Sequence, residues 1–115
     1  MSKGFDIYIY EGLRIRQVFD NIWEFLSDVK EQILKLFPGA EVYLFGSVAR
    51  RRYTAGSDID ILVVADVSDW EAVDRAKAKL RGMFIDTPVE FHIVDRIMFE
   101  KWYKRFIGED ELLKI

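Results

Sequence analysis

Phe45-Gly46-Ser47-Val48-Ala49-Arg50-Arg51-Arg52-Tyr53-Thr54-Ala55-Gly56-Ser57-Asp58-Ile59-Asp60-Ile61-Leu62-Val63-Val64 decides how the rest of the chain is read. Val42-Tyr43-Leu44-Phe45 leads into it as a short apolar run suited to a buried strand. Gly46 interrupts that run, and glycine accepts the backbone angles of a tight turn. Ser47 then reads as the cap of a short helix, Val48 to Arg52. The first free N–H groups of that helix face the strand end and favour phosphate. Gly56 and Ser57 close the loop, and an apolar, largely β-branched run follows, interrupted only by Asp60.

Asp58 and Asp60 stand at the start of this second strand. Residues i and i+2 of a strand project to one face. The two carboxylates therefore share a face, and Ile59, Ile61 and Val63 point the other way. Like charges at this spacing repel, and a divalent cation relieves the repulsion. Hard oxygen ligands suit Mg²⁺, with Mn²⁺ as the second candidate. A phosphate-binding turn followed by a metal-binding carboxylate pair is the equipment of phosphoryl or nucleotidyl transfer.

Gly46-Ser47, ten residues, then Asp58-Ile59-Asp60 resembles the signature of the DNA polymerase beta-like nucleotidyltransferases. The fuller run, Gly-Ser-x-Ala-Arg and then Ser-Asp-Ile-Asp, is similar to the minimal nucleotidyltransferases of archaea and bacteria. Those proteins usually carry Gly directly after the Ala-Arg, where Arg51 stands here. The departure predicts a differently shaped loop and a larger basic patch. The resemblance implies one nucleotidyltransferase domain over residues 1–115, of α/β (α+β) class. It also implies a small mixed sheet with helices on one face and the active site on the other.

The resemblance further implies a third acid on a neighbouring strand, commonly Asp. Glu90 is the candidate, as the acid inside the predicted strand Val89 to Val94. Its strand alternates, with Val89, Phe91 and Ile93 on an apolar face and Glu90 and His92 on a polar one. The expected catalytic and metal set is Asp58, Asp60 and Glu90, holding two Mg²⁺, with Glu90 also taking the proton of an incoming hydroxyl. Gly46, Ser47, Arg50 and Ser57 form the nucleotide-binding set. Arg50 suits a triphosphate oxygen, and Ser57 supports the loop. Arg51 and Arg52 read as solvated. His92 shares the face of Glu90, and a structural, hydrogen-bonded role is weighed equally with contact to carboxylate or nucleotide.

Composition sets the outer bounds. The 115 residues are 50% apolar and 15% aromatic, enough for the core of one domain. A net charge of −3 argues against sequence-independent nucleic-acid binding. The absence of Cys excludes disulfides and thiolate sites, and a single His excludes a His-rich zinc site. No apolar run reaches the ~20 residues of a membrane span, and Met1-Ser2-Lys3-Gly4 opens no signal peptide, so a cytoplasmic protein is expected. One Asn, two Gln and no Cys beside 32% charged residues resemble the composition of heat-loving, archaeal-like proteins.

Apolar residues at 15, 18/19, 22, 26, 29, 33 and 36/37 predict one long amphipathic helix from Glu11 to Phe37, stopped by Pro38-Gly39. Residues 5–10 suit either a strand or the lead-in to that helix. Trp23 and Phe25 are read first as widening its core face and second as partly exposed residues that meet another protein. Ser68-Asp69-Trp70-Glu71 is a capping box opening a helix to about Arg81, ended by Gly82. Asp95 caps a last helix from Arg96 to about Ile107, and the tail from Glu109 frays or docks through Leu112 and Leu113.

The expected function is transfer of a nucleoside monophosphate, AMP from ATP, to a hydroxyl acceptor. The chain is short for an enzyme that must enclose a large second substrate. The resemblance implies the antitoxin half of a toxin–antitoxin pair, whose acceptor is a tyrosine of a HEPN-domain partner. Two alternatives stand beside it. One is a non-catalytic module that neutralises a partner by contact. The other is a small-molecule nucleotidyltransferase that completes its pocket as a homodimer.

Overall fold

A computed structural model describes residues 3–51, 56–103, 105 and 111–115. Two helices, α1 (Lys3–Asp20) and α2 (Ile22–Leu36), precede the strand β1 (Glu41–Phe45). The expected single helix is thus two, and residues 5–10 belong to α1. The break falls at Asn21, whose backbone leaves helical angles (φ −125°, ψ 46°). Asp20 and Asn21 are poor helix formers, because their side chains compete for nearby backbone groups. Asn21 shows the competition, with Nδ2 donating to the Gln17 carbonyl at 3.4 Å. The i to i+4 ladder still crosses the break, from Asn21 N–H to Gln17 O at 3.2 Å and from Phe25 N–H to Asn21 O at 3.0 Å. The apolar stripe therefore stays continuous while the backbone does not.

β2 (Ile59–Val64), α3 (Trp70–Met83) and β3 (Val89–Val94) follow in order. Asp69, not Ser68, caps α3, accepting from the N–H groups of Glu71 (3.0 Å) and Ala72 (3.3 Å). A carboxylate is the stronger acceptor at a helix start. The helix runs through Gly82 to Met83. The last expected helix is wider than an α-helix over part of its length: α4 (Arg96–Met98), capped by Asp95, passes into a π-helical turn over Phe99–Tyr103. The rest of that expected helix, to Ile107, lies largely outside the described residues. The tail docks through Leu112 and Leu113, as one of the two expectations had it, and residues 109–110 lie outside the described residues. Leu112–Lys114 forms a fourth strand, β4.

The sheet order is β3-β2-β1-β4. β2 and β3 run parallel, whereas β1 is antiparallel to both β2 and β4. The mixed sheet implied by the sequence is present. One face carries Val42, Leu44, Ile59, Ile61, Val63 and Phe91 against Val18, Phe25, Leu26, Val29, Ile33 and Leu80 of the helices. Burying each such side chain stabilises the fold by about 1.5–3 kcal/mol. Phe25 belongs to this core, but Trp23 does not and is 58% exposed. The helical period puts Trp23 off the stripe, so the expectation that it widens the core is corrected.

The opposite face is divided. Leu62, Val64 and Val94 pack under Phe99. Asp60, Glu90 and His92 occupy the remainder, toward the starts of β2 and β3. The π-helical turn covers the apolar part and leaves the polar part open.

Candidate active site

Strand register assembles the site. In the antiparallel pair, Phe45 is opposite Asp60, so the chain leaving β1 turns directly over the first carboxylate of β2. In the parallel pair, Asp60 is opposite Glu90, and Leu62 is opposite His92. Cross-strand partners share a face, which sets Asp60, Glu90 and His92 side by side. One ligand atom from each can be chosen so that all lie within 4.8 Å of one another. Like charges directly opposite on neighbouring strands are destabilising by themselves. A cation between them reverses the sign.

The turn after β1 is a single helical turn rather than the expected helix Val48 to Arg52. Arg50 N–H reaches the Gly46 carbonyl at 3.2 Å, and Arg51 N–H reaches the Val48 carbonyl at 3.0 Å. Val48, 5% exposed, anchors the turn in the main core. Arg51 ends it in the left-handed region, φ +59°. That conformation commonly closes a helical turn, and glycine usually holds it. The Arg51 departure therefore leaves the glycine-type backbone in place at Arg51, with an L residue carrying the strain. Arg52 lies outside the described residues.

Gly46 is required twice over. Its φ is +79°, and a Cβ built on it would lie 2.7 Å from Asp60 Oδ2. The turn packs so closely on the carboxylate that any side chain at Gly46 would force the Asp60 carboxylate to move.

The other expected residues take distinct places. Asp58 precedes β2, is exposed, and stands outside the Asp60–Glu90–His92 group. Ser47 and Ser57 are half-buried. Arg50 is engaged by Glu111, Nη1 to Oε1 at 3.2 Å, which ties the turn to the segment entering β4. Glu90 is exposed on the open face.

His92 joins the site although the sequence argument left its role open. Its Nε2 is 3.5 Å from Asp60 Oδ1. That nitrogen is buried and has no hydrogen-bond partner. The ring lies edge-on to Phe45, with centroids 5.1 Å apart. The signal was available in the two-residue spacing from Glu90, but only the register of β3 against β2 brings the ring to Asp60.

The set fits a divalent cation on two observations. A buried imidazole nitrogen lacks a partner beside two carboxylates, and the backbone at Gly46 leaves the space over Asp60 free of any Cβ. An apolar cleft of about 420 Å³ lies elsewhere, between α2 and the opposite side of the turn, lined by Trp23, Leu26, Leu44, Val48 and Leu113 among others. It holds no carboxylate and is not the chemical centre.

A mixed sheet with helices on one face and a carboxylate group beside a Gly-Ser turn on the other defines a nucleotidyltransferase domain. Residues 26–115 match the nucleotidyltransferase domain family, and the chain belongs to it. Among solved structures, the chain is 34% identical to a protein assigned as a nucleotidyltransferase, covering 79% of this chain and 97% of that one, with a TM-score of 0.66. A second assigned nucleotidyltransferase, from Sulfolobus solfataricus, is 25% identical, covering 92% of this chain and 83% of its own, with a TM-score of 0.54. No curated protein matches the chain. No helix among the described residues is long and apolar enough to cross a membrane.

Proposed function

We propose that the protein transfers a nucleoside monophosphate, AMP from ATP, to a hydroxyl of a partner protein. The observation that carries this is the convergence of Asp60 and Glu90 under the Gly46 turn on an open sheet face. Asp60 and Glu90 hold a divalent cation, Mg²⁺ in the first instance, with Asp58 contributing from the strand start. A divalent cation held there would supply neutralisation of the triphosphate charge and polarisation of the α-phosphate. Gly46 and Ser47 border the β- and γ-phosphates, and Ser57 steadies the loop. Arg50 is held by Glu111 and reaches a phosphate only by exchanging that carboxylate for it. Glu90, exposed on its strand, accepts the proton as the acceptor oxygen bonds to the α-phosphorus and pyrophosphate leaves.

The openness of the face supports a macromolecular acceptor. Asp58 and Glu90 are both exposed, so the described residues supply one wall of the site. A partner that brings its own hydroxyl also brings the other wall. A HEPN-type toxin tyrosine, with this chain as antitoxin, is the acceptor that family resemblance favours.

The test is intact-mass spectrometry of the protein and its encoded neighbour, mixed with ATP and Mg²⁺, beside an Asp58→Asn control. A gain of one or more AMP masses on the neighbour, absent from the control, is the expected result. No gain despite confirmed ATP binding would point to a small-molecule acceptor. No gain and no ATP binding would replace the enzyme by a contact-only module.

A further inference from the structure

We propose that His92 is a direct cation ligand, making Asp60–Glu90–His92 a mixed nitrogen–oxygen site that selects a first-row transition ion over Mg²⁺. The inference deepens the nucleotidyltransferase reading and rests on it for the purpose of the ion. Its test is separate.

Four observations converge. His92 lies on the same sheet face as the two carboxylates, opposite Leu62 and two residues beyond Glu90. Its Nε2 is buried and is the one buried side-chain nitrogen or oxygen among the described residues with no hydrogen-bond partner. At 3.5 Å, Asp60 Oδ1 is beyond the usual ~2.7–3.2 Å of an N–H···O bond, so the pair is not a satisfied structural contact. The candidate ligand atoms already lie within 4.8 Å of one another. Donors sharing one ion at about 2.1 Å stand roughly 3–4 Å apart, so a small side-chain adjustment closes the set.

The donor chemistry then selects the ion. Mg²⁺ prefers an all-oxygen octahedron and keeps its waters. Imidazole suits zinc, cobalt and nickel, and two carboxylates with one imidazole form a set those ions bind well. Phe45 against the ring limits its rotation and presents one edge to the carboxylates. With three protein donors, further positions stay open to substrate oxygens or water.

The single histidine makes the experiment direct, because every imidazole signal comes from His92. Untagged, ¹⁵N-labelled protein is titrated with Zn²⁺ and, separately, with excess Mg²⁺, while the ring nitrogens are followed by NMR. One equivalent of Zn²⁺ is expected to shift Nε2, and Mg²⁺ to leave it in place. By calorimetry, His92→Gln should weaken Zn²⁺ by about tenfold or more and change Mg²⁺ by less than about threefold. Asp60→Asn should abolish the Nε2 shift in a chain that still melts cooperatively. An Nε2 signal unmoved by stoichiometric Zn²⁺ in the unaltered protein would overturn the proposal without any variant. So would a shift that persists in Asp60→Asn, since the ring would then be binding alone. AMP transfer with Mg²⁺ in a protein whose His92 Nε2 is unmoved by Zn²⁺ would sink this inference and keep the function. A zinc-bound His92 with no transfer under any cation would do the reverse.

Discussion

Gly46 and Asp60 meet so closely that a methyl group on the glycine would stand 2.7 Å from the carboxylate oxygen. The contact joins the phosphate turn to the cation site, so one substitution should disturb both. Gly46→Ala places an L residue at φ +79°, which costs about 1–2 kcal/mol. It also forces the Asp60 carboxylate to shift. We expect the unfolding free energy from urea denaturation to fall by that amount, together with weaker cation binding by calorimetry. Unchanged binding in a folded variant would show that the Asp60 carboxylate can move without loss.

Arg51 offers the opposite change. It sits at φ +59° with an exposed side chain. Relief of left-handed strain is worth about 1–2 kcal/mol, and the added freedom of an unfolded glycine costs about 0.4–1 kcal/mol. Arg51→Gly should therefore stabilise the fold by roughly 0.5 kcal/mol, read from urea denaturation. Destabilisation would mean that the Arg51 side chain makes a favourable contact that outweighs the strain.

The carboxylates should separate by role. Asp60→Asn removes charge at the centre of the group, so both cation binding and transfer are expected to be lost. Asp58→Asn lies outside the group, and transfer should be lost while Zn²⁺ still shifts the His92 resonance. Calorimetry and intact mass on the two variants test the division. Equal loss of Zn²⁺ binding in both would merge them into one ligand set.

Glu41 and Tyr43 supply a pH signature away from the site. Tyr43 Oη donates to Glu41 Oε2 at 2.8 Å. Burial first, and then the Glu41 carboxylate, push the Tyr43 phenol up to about 12. Its folded value is above the ordinary 10, so its contribution is complete below pH 10 and is lost as pH rises through about 12. Glu41 is held below 4.5, chiefly by the same hydrogen bond with help from Lys114 and Arg96, and burial opposes this. Its contribution is present above pH 4.5 and fades as pH falls through its lowered value. Tyr43→Phe should flatten both limbs of a stability–pH profile. Parallel profiles for the two proteins would remove this pair from the account.

Much of the site was legible because its signals are local. The Gly-Ser turn, the two-residue spacing of Asp58 and Asp60, and the alternation of Val89 to Val94 are all properties of a few adjacent residues. The helical period of residues 15–37 was equally plain, yet the break at Asn21 was not, since the apolar stripe passes through it unchanged. Asp69 replaced Ser68 as the cap of α3 because both types suit the position and the difference is one residue of backbone geometry. β4 escaped notice for another reason. Leu112–Lys114 is too short to show a period and becomes a strand only through its pairing with β1.

The sequence by itself marked the candidate residues and the strand faces they share, because side-chain direction follows from backbone periodicity. Only the tertiary structure decided which of them meet. Parallel pairing of β2 with β3 set Glu90 opposite Asp60 and brought His92 into the group. Antiparallel pairing of Phe45 with Asp60 laid the turn on the carboxylate. These are relations between segments tens of residues apart, and strand register, fixed by the packing of the shared core, is what specifies them.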